Sequence, residues 1–213
     1  MTDDLVFFTN PMSRGRIVRW MLEEVGQPYR TETLDYASGM KGPDYLSINP
    51  MGKVPALRHG DQVVTETAAI CAYLADAFPQ AGLAPALGDN LRAPYFRWLF
   101  FGAGPLEATV TNQAMGFVVP EGKDRMAGFG SYKLTIDTLE NAVAGKTYLV
   151  GDRFSAADVY IGSQIGFGMM FGSIEKRPAF VAYAAGLNAR PAAVRAAQID
   201  DALIAQQAAP AHA

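Results

Sequence analysis

The feature that most constrains the fold is a break at residues 79–89. Pro79, Gly82, Pro85 and Gly88 stand there, residues that interrupt helices and strands, and the apolar pattern differs on the two sides. Before the break, short strand-like runs alternate with helical spacing. Leu5-Val-Phe-Phe8 reads as a buried strand. Ile17, Met21 and Val25 recur at helical spacing between Ser13, a candidate N-cap, and Gly26 as a stop. Residues 29–33 read as a second strand and Tyr45-Leu46 as a helical turn. Residues 53–58 and 62–64 flank His59-Gly-Asp61 as a hairpin, and 66–78 form a helix that Pro79 ends.

After the break no convincing strand pattern remains. Residues 92–117 are aromatic-rich and helical, with a bend near Gly104-Pro105, and 132–143 are amphipathic. Ser155-Ala-Ala-Asp158 is a capping-box variant opening a helix that is apolar on all sides and so expected to be central and buried. Pro178 and Pro191 each stand in the first turn of a further helix. The expectation is an α/β domain over residues 1–79, a linker over 80–91 and an all-helical domain over 92–213.

Composition removes several classes of function. Eighteen Lys and Arg against 21 Asp and Glu leave a net charge of −3, without the basic excess of a nucleic-acid binder. The single cysteine, Cys71, closes no intramolecular disulfide and builds no CxxC pair; inside a helix it reads as a small buried hydrophobe. The two histidines leave almost no material for a Ser-His-Asp triad, a Cys-His pair or a zinc site. His59 reads as an exposed turn residue and His212 as part of a mobile Ala/Gln/Pro tail. Gly145-Lys146-Thr147 imitates the end of a P-loop, but Glu140 stands where its first glycine belongs. Gly166-x-Gly168 places Phe171 where the dinucleotide fingerprint needs glycine. The longest uncharged run, 159–174, falls short of the roughly 20 residues of a membrane span. The opening Met-Thr-Asp-Asp is acidic where a signal peptide is basic. We expect a cytoplasmic protein with no metal, nucleic-acid or membrane partner.

Four motifs then resemble the cytosolic glutathione S-transferase family, in its bacterial Ser- or Asn-type form. They are Asn10-Pro-Met-Ser-Arg-Gly-Arg16, Asn49-Pro-Met-Gly-Lys-Val-Pro-Ala-Leu57, Glu66-Thr-Ala-Ala-Ile70 and Phe154-Ser-Ala-Ala-Asp158. The resemblance implies a thioredoxin-like α/β domain followed by an all-α domain, a homodimer, and glutathione as co-substrate. It implies a cis Pro55 that turns the Val54 N–H and C=O outward for a short peptide to join. It implies that Thr67 binds the γ-glutamyl carboxylate at a helix N-terminus, that Glu66 pairs with the amine, and that Lys53 reaches the glycine carboxylate. The thiolate donor it implies is Ser13, with Asn10 as the alternative; no tyrosine precedes Tyr29 and no cysteine lies near the first helix.

The activity implied is attack of the glutathione thiolate on a small apolar electrophile. That second substrate would lie between the domains, beside a helix bearing Tyr95, Phe96, Trp98, Phe100 and Phe101, most of which fit a core equally well. Two alternatives stay open. One is a glutathione-dependent isomerase, dehalogenase or peroxidase; the other is a non-catalytic glutathione-binding protein.

Overall fold

The computed structural model describes residues 4–208. Those residues form two compact units, one of residues 4–81 with 190–208 and one of 82–189.

In the first unit, β1 (Leu5–Thr9) is buried along its whole length, as its unbroken apolar run requires. Helix α1 (Gly15–Val25) carries the chain over to β2 (Arg30–Thr33), which pairs parallel with β1. A parallel pair needs such a crossover. Gly15 is where α1 starts against β1, and a Cβ there would fall 1.9 Å from Thr9 Oγ1. Only glycine permits that approach.

A short α2 (Pro43–Leu46) precedes β3 (Ala56–His59) and β4 (Gln62–Thr65), an antiparallel hairpin turned at Gly60-Asp61 with Gly60 at φ 56°. β3 also pairs antiparallel with β1, giving the order β2-β1-β3-β4 of a thioredoxin-like sheet, and α3 (Thr67–Ala77) follows. The expected order of elements is the observed one.

The second unit is helical among the described residues. Its elements are α4 (Arg92–Phe101), α5 (Glu107–Met115), α6 (Tyr132–Val143), α7 (Ala156–Phe171) and α8 (Pro178–Asn188). The bend expected near Gly104-Pro105 is a π-helical turn at Gly102–Leu106 joining α4 to α5. Tyr95 and Trp98 belong to the core of this unit, whereas Phe100 is 73% exposed. Helix α7 is buried from Ala156 to Ile165, but Met170 and Phe171 emerge into solvent. Burial of the whole helix is therefore corrected to its first three turns.

Helix α9 (Pro191–Ala208) groups with the first unit, which differs from an all-helical domain running over 92–213. Charge pairing gives the physical reason. Arg19 of α1 and Asp200 of α9 are both buried, with Arg19 Nε 3.2 Å from Asp200 Oδ1. Arg19 Nη1 also donates to Thr31 Oγ1 at 2.7 Å and to the Tyr29 hydroxyl at 3.2 Å. Its guanidinium lies over the Phe7 and Tyr29 rings, and burial pushes the Tyr29 phenol up to about 12. Arg16–Asp201 and Arg190–Glu24 add ion pairs of 2.7 Å at the margins. A buried arginine needs its carboxylate, so α9 is held where Asp200 can meet Arg19.

Candidate functional site

Strand register brings the candidate residues together. Ala56 pairs with Phe8 on one side and Thr65 on the other, and Thr9 pairs with Thr33. The end of β1, the end of β2, the start of β3 and the end of β4 therefore share one end of the sheet. Asn10 and Ser13 follow β1, Val54 and Pro55 precede β3, and Glu66 and Thr67 follow β4. All lie at that end, with Lys53 next to Val54.

The Val54–Pro55 peptide bond is cis. Three side chains clamp the segment before it. Tyr45 Oη donates to the Lys53 carbonyl at 2.6 Å, Asn49 Nδ2 donates to the same oxygen at 2.7 Å, and Lys41 Nζ donates to the Gly52 carbonyl at 2.7 Å. Burial holds the Tyr45 phenol at about 12, so it remains a donor at neutral pH. Among the described residues the Val54 N–H and C=O have no backbone partner. An extended peptide can add to an edge of this kind.

Glu66 sits at φ 66°, ψ 118°, the one described non-glycine residue with positive φ, and makes no side-chain cap to α3. The amide of Ile70 returns to the Glu66 carbonyl at 2.9 Å, leaving the amides before it aimed out of the helix. Thr65, Glu66 and Thr67 make no side-chain hydrogen bond among the described residues. A capping role for any of them thus receives no support. An uncapped helix N-terminus attracts carboxylates, while the exposed Glu66 and Lys53 side chains offer one charge of each sign nearby. The arrangement suits a small zwitterionic peptide.

Ser13 and Asn10 differ in what they have left to give. Ser13 Oγ donates to the Asn10 carbonyl at 2.7 Å and accepts the Gly15 N–H at 2.9 Å, so both of its roles close the first turn of α1. Asn10 is 3% exposed; its Oδ1 accepts the Met12 N–H at 2.9 Å, and Nδ2 gives one hydrogen to the Leu34 carbonyl at 2.8 Å. The other amide hydrogen of Asn10 is uncommitted.

His59 ends β3 rather than lying exposed in the turn. It is half-buried, its Nδ1 2.9 Å from the Tyr73 hydroxyl and its ring stacked on Phe78. His212 lies outside the described residues. Among the described residues no His/Cys/Asp/Glu group has metal-holding geometry, and no helix is long and apolar enough to cross a membrane. The sequence reading gave no role to Asn49, Tyr45 or Lys41. The Asn49 of the Asn-Pro-Met-Gly motif was the available signal, since an Asn side chain before a turn commonly bonds the backbone that follows.

The family models for the glutathione S-transferase N-terminal and C-terminal domains match residues 12–77 and 107–191. The structure of a glutathione transferase from Methylococcus capsulatus str. Bath is similar, with a TM-score of 0.77 and 31% identity, covering 93% of this chain and 99% of that one. A sphingomonad glutathione S-transferase complexed with glutathione has a TM-score of 0.75 and 30% identity, covering 92% of this chain and 98% of that one. Glutathione S-transferase psoE of Aspergillus fumigatus is 30% identical over 144 residues, which span 65% of this chain and 60% of that protein.

Proposed function

This chain belongs to the glutathione S-transferase family, and we propose that it binds glutathione and activates its thiol for attack on a small apolar electrophile. The observation that carries the reading is the unpaired Val54 edge beside the uncapped start of α3, both at one end of the sheet. The cysteinyl backbone of glutathione pairs with Val54. Its γ-glutamyl carboxylate meets the first α3 amides and the Thr67 hydroxyl, Glu66 holds the α-amine, and Lys53 holds the glycine carboxylate. No metal takes part.

Activation means ionising a thiol whose free pKa is about 8.5. Lowering it by two units needs about 2.7 kcal/mol, within reach of one or two hydrogen bonds to the thiolate. Asn10 keeps a hydrogen for that purpose, whereas Ser13 has spent its own on the Asn10 carbonyl. We therefore take Asn10 as the thiolate donor and Ser13 as the residue that shapes the α1 turn around it. Histidine is not needed, because the task is donation to an anion rather than removal of a proton from a nucleophile.

The test is the thiolate absorbance of bound glutathione against pH for wild type, Asn10→Ala and Ser13→Ala. Asn10→Ala should raise the bound thiol pKa by about one to two units and cut turnover near neutral pH about ten- to a hundredfold. A shift in Ser13→Ala alone would return the donor role to Ser13. A second reading, a glutathione-binding protein without turnover, is favoured by the burial of Asn10 at 3% exposure. Calorimetric binding of glutathione with no conjugation across a panel of electrophiles would establish it; isomerase, dehalogenase or peroxidase turnover in the same panel would redirect the enzyme reading. The proposal also takes the protein to be a cytoplasmic homodimer, which sedimentation and fractionation test.

A further inference from the structure

Tyr45 brings a hydroxyl into an otherwise apolar cluster. It is 4% exposed and packs with Val6, Phe8, Met40 and Ala56, its ring centroid 5.7 Å from that of Phe8. A hydroxyl in such a place costs stability unless it is partnered. Its partner is the Lys53 carbonyl, at 2.6 Å. That oxygen also accepts from Asn49 Nδ2 at 2.7 Å, so it is satisfied without Tyr45. A phenylalanine at this position would fill the cluster and leave no buried acceptor alone. The hydroxyl is therefore surplus to what the fold needs, and its effect lies in the peptide unit that it touches.

The Lys53 C=O and the Val54 N–H belong to one planar peptide unit. Two donors on the oxygen fix the plane of that unit, and with it the direction of the N–H. The Gly52 carbonyl just before is held by Lys41 Nζ at 2.7 Å, and the Val54 side chain packs against the same cluster as Tyr45. The plane is thus restrained from both sides. Donation to a carbonyl also polarises the amide and strengthens its N–H as a donor. The Val54 N–H has no backbone partner among the described residues, so its aim and strength are left for a ligand.

We propose that Tyr45 is a positioning residue for the glutathione site. Through the Lys53–Val54 peptide its hydroxyl aims and strengthens the Val54 N–H, from which the cysteinyl carbonyl of glutathione accepts. Tyr45 is buried and touches no ligand itself. This role rests on glutathione pairing with Val54. It makes the site selective for a peptide carbonyl over a ligand of the same shape that lacks one.

Two ligands are compared by calorimetry on wild type and Tyr45→Phe. One is glutathione; in the other a trans alkene replaces the cysteinyl–glycine amide and so removes the carbonyl. Glutathione should bind Tyr45→Phe about three- to tenfold more weakly than wild type. The alkene analogue should bind both proteins alike, because it has no oxygen to accept from the Val54 N–H. A purely structural loss would weaken both ligands together. That outcome, or unchanged glutathione affinity in Tyr45→Phe, would overturn the proposal. A second variant carries 3-fluorotyrosine at Tyr45, which keeps the ring and hydroxyl and makes the phenol a stronger donor. It should bind glutathione about twofold more tightly than wild type. Equal or weaker binding there overturns the proposal even if Tyr45→Phe does not fold. Glutathione binding by wild type separates the two readings: its absence would remove both, whereas its presence with no response at Tyr45 would remove this one alone.

Discussion

Two helix N-termini in this chain are built in opposite ways. At α7 the start is closed: Ser155 and Asp158 form a reciprocal capping box. Asp158 accepts from the Ser155 N–H at 2.8 Å, the Ser155 hydroxyl at 3.0 Å, the Leu149 N–H and the Tyr183 hydroxyl, all buried. At α3 the start is open, with no side-chain cap, a strained Glu66 and a backbone edge at Val54 left unpaired. A closed terminus contributes stability and offers nothing to a ligand. An open one gives up stability and keeps its donors for something else.

The largest effect should come from the closed terminus. Asp158→Ala strands four buried donors, for which we expect a loss of about 3–5 kcal/mol in urea unfolding. Glutathione affinity of the remaining folded protein should be unchanged. A loss under about 1 kcal/mol would show that α7 does not need its cap, and the contrast would break.

The open terminus should respond in the reverse sense. Thr67→Ala and Glu66→Ala should each weaken glutathione binding about ten- to a hundredfold in calorimetry, the worth of one charge-assisted contact, while urea midpoints stay near wild type. Destabilisation without loss of affinity in either variant would mean that α3 is capped after all.

The two termini also differ in how far they were legible from the sequence. A capping box is local: serine and an acid three residues apart, followed by an apolar run, carry their own geometry. The turn of α1 is legible only in part: Ser13 accepts the Gly15 N–H, but the residue at the N-cap position is Arg14, not Ser13, and it makes no side-chain cap. A ligand contact for Glu66 is implied only through resemblance, and its positive φ was not legible at all. That conformation is imposed where β4, fixed by pairing Thr65 with Ala56, must hand over directly to α3. The Arg19–Asp200 pair was hidden by distance, its partners standing 181 residues apart, and so the attachment of α9 was hidden too. His59 was misread because a turn signal says nothing of Tyr73 on α3 or of Phe78 just past its end.

Strain at the open terminus gives a sharper test. Glycine adopts φ 66°, ψ 118° without the cost that a Cβ brings, which for such positions is on the order of 1–3 kcal/mol. The extra freedom of glycine in the unfolded chain offsets part of this. Glu66→Gly should therefore be more stable than wild type by about 1 kcal/mol while binding glutathione more weakly. A variant less stable than wild type would show that the Glu66 side chain supports the fold, contrary to an open terminus kept for a ligand.

The smallest effect belongs to Cys71, which lies in α3 only four residues beyond Thr67 yet is fully buried. Burial alone pushes its thiol up to about 12, so it stays protonated and inert at neutral pH. Native protein at about pH 8 should fail to react with a disulfide reagent such as dithionitrobenzoate, and one thiol should titrate once urea is added. The sign of the pH effect follows from the raised value. The unfolded thiol ionises first, near 8.5, so the contribution of Cys71 to stability is complete below that pH. It is then lost as the pH rises towards about 12. Cys71→Ala should be less stable than wild type by about 1 kcal/mol at neutral pH, with that gap narrowing above about pH 9, and should keep its turnover. Rapid modification of the native thiol, or loss of turnover in a folded Cys71→Ala protein, would place the chemistry on sulfur inside α3 and overturn the division between a closed core and an open terminus.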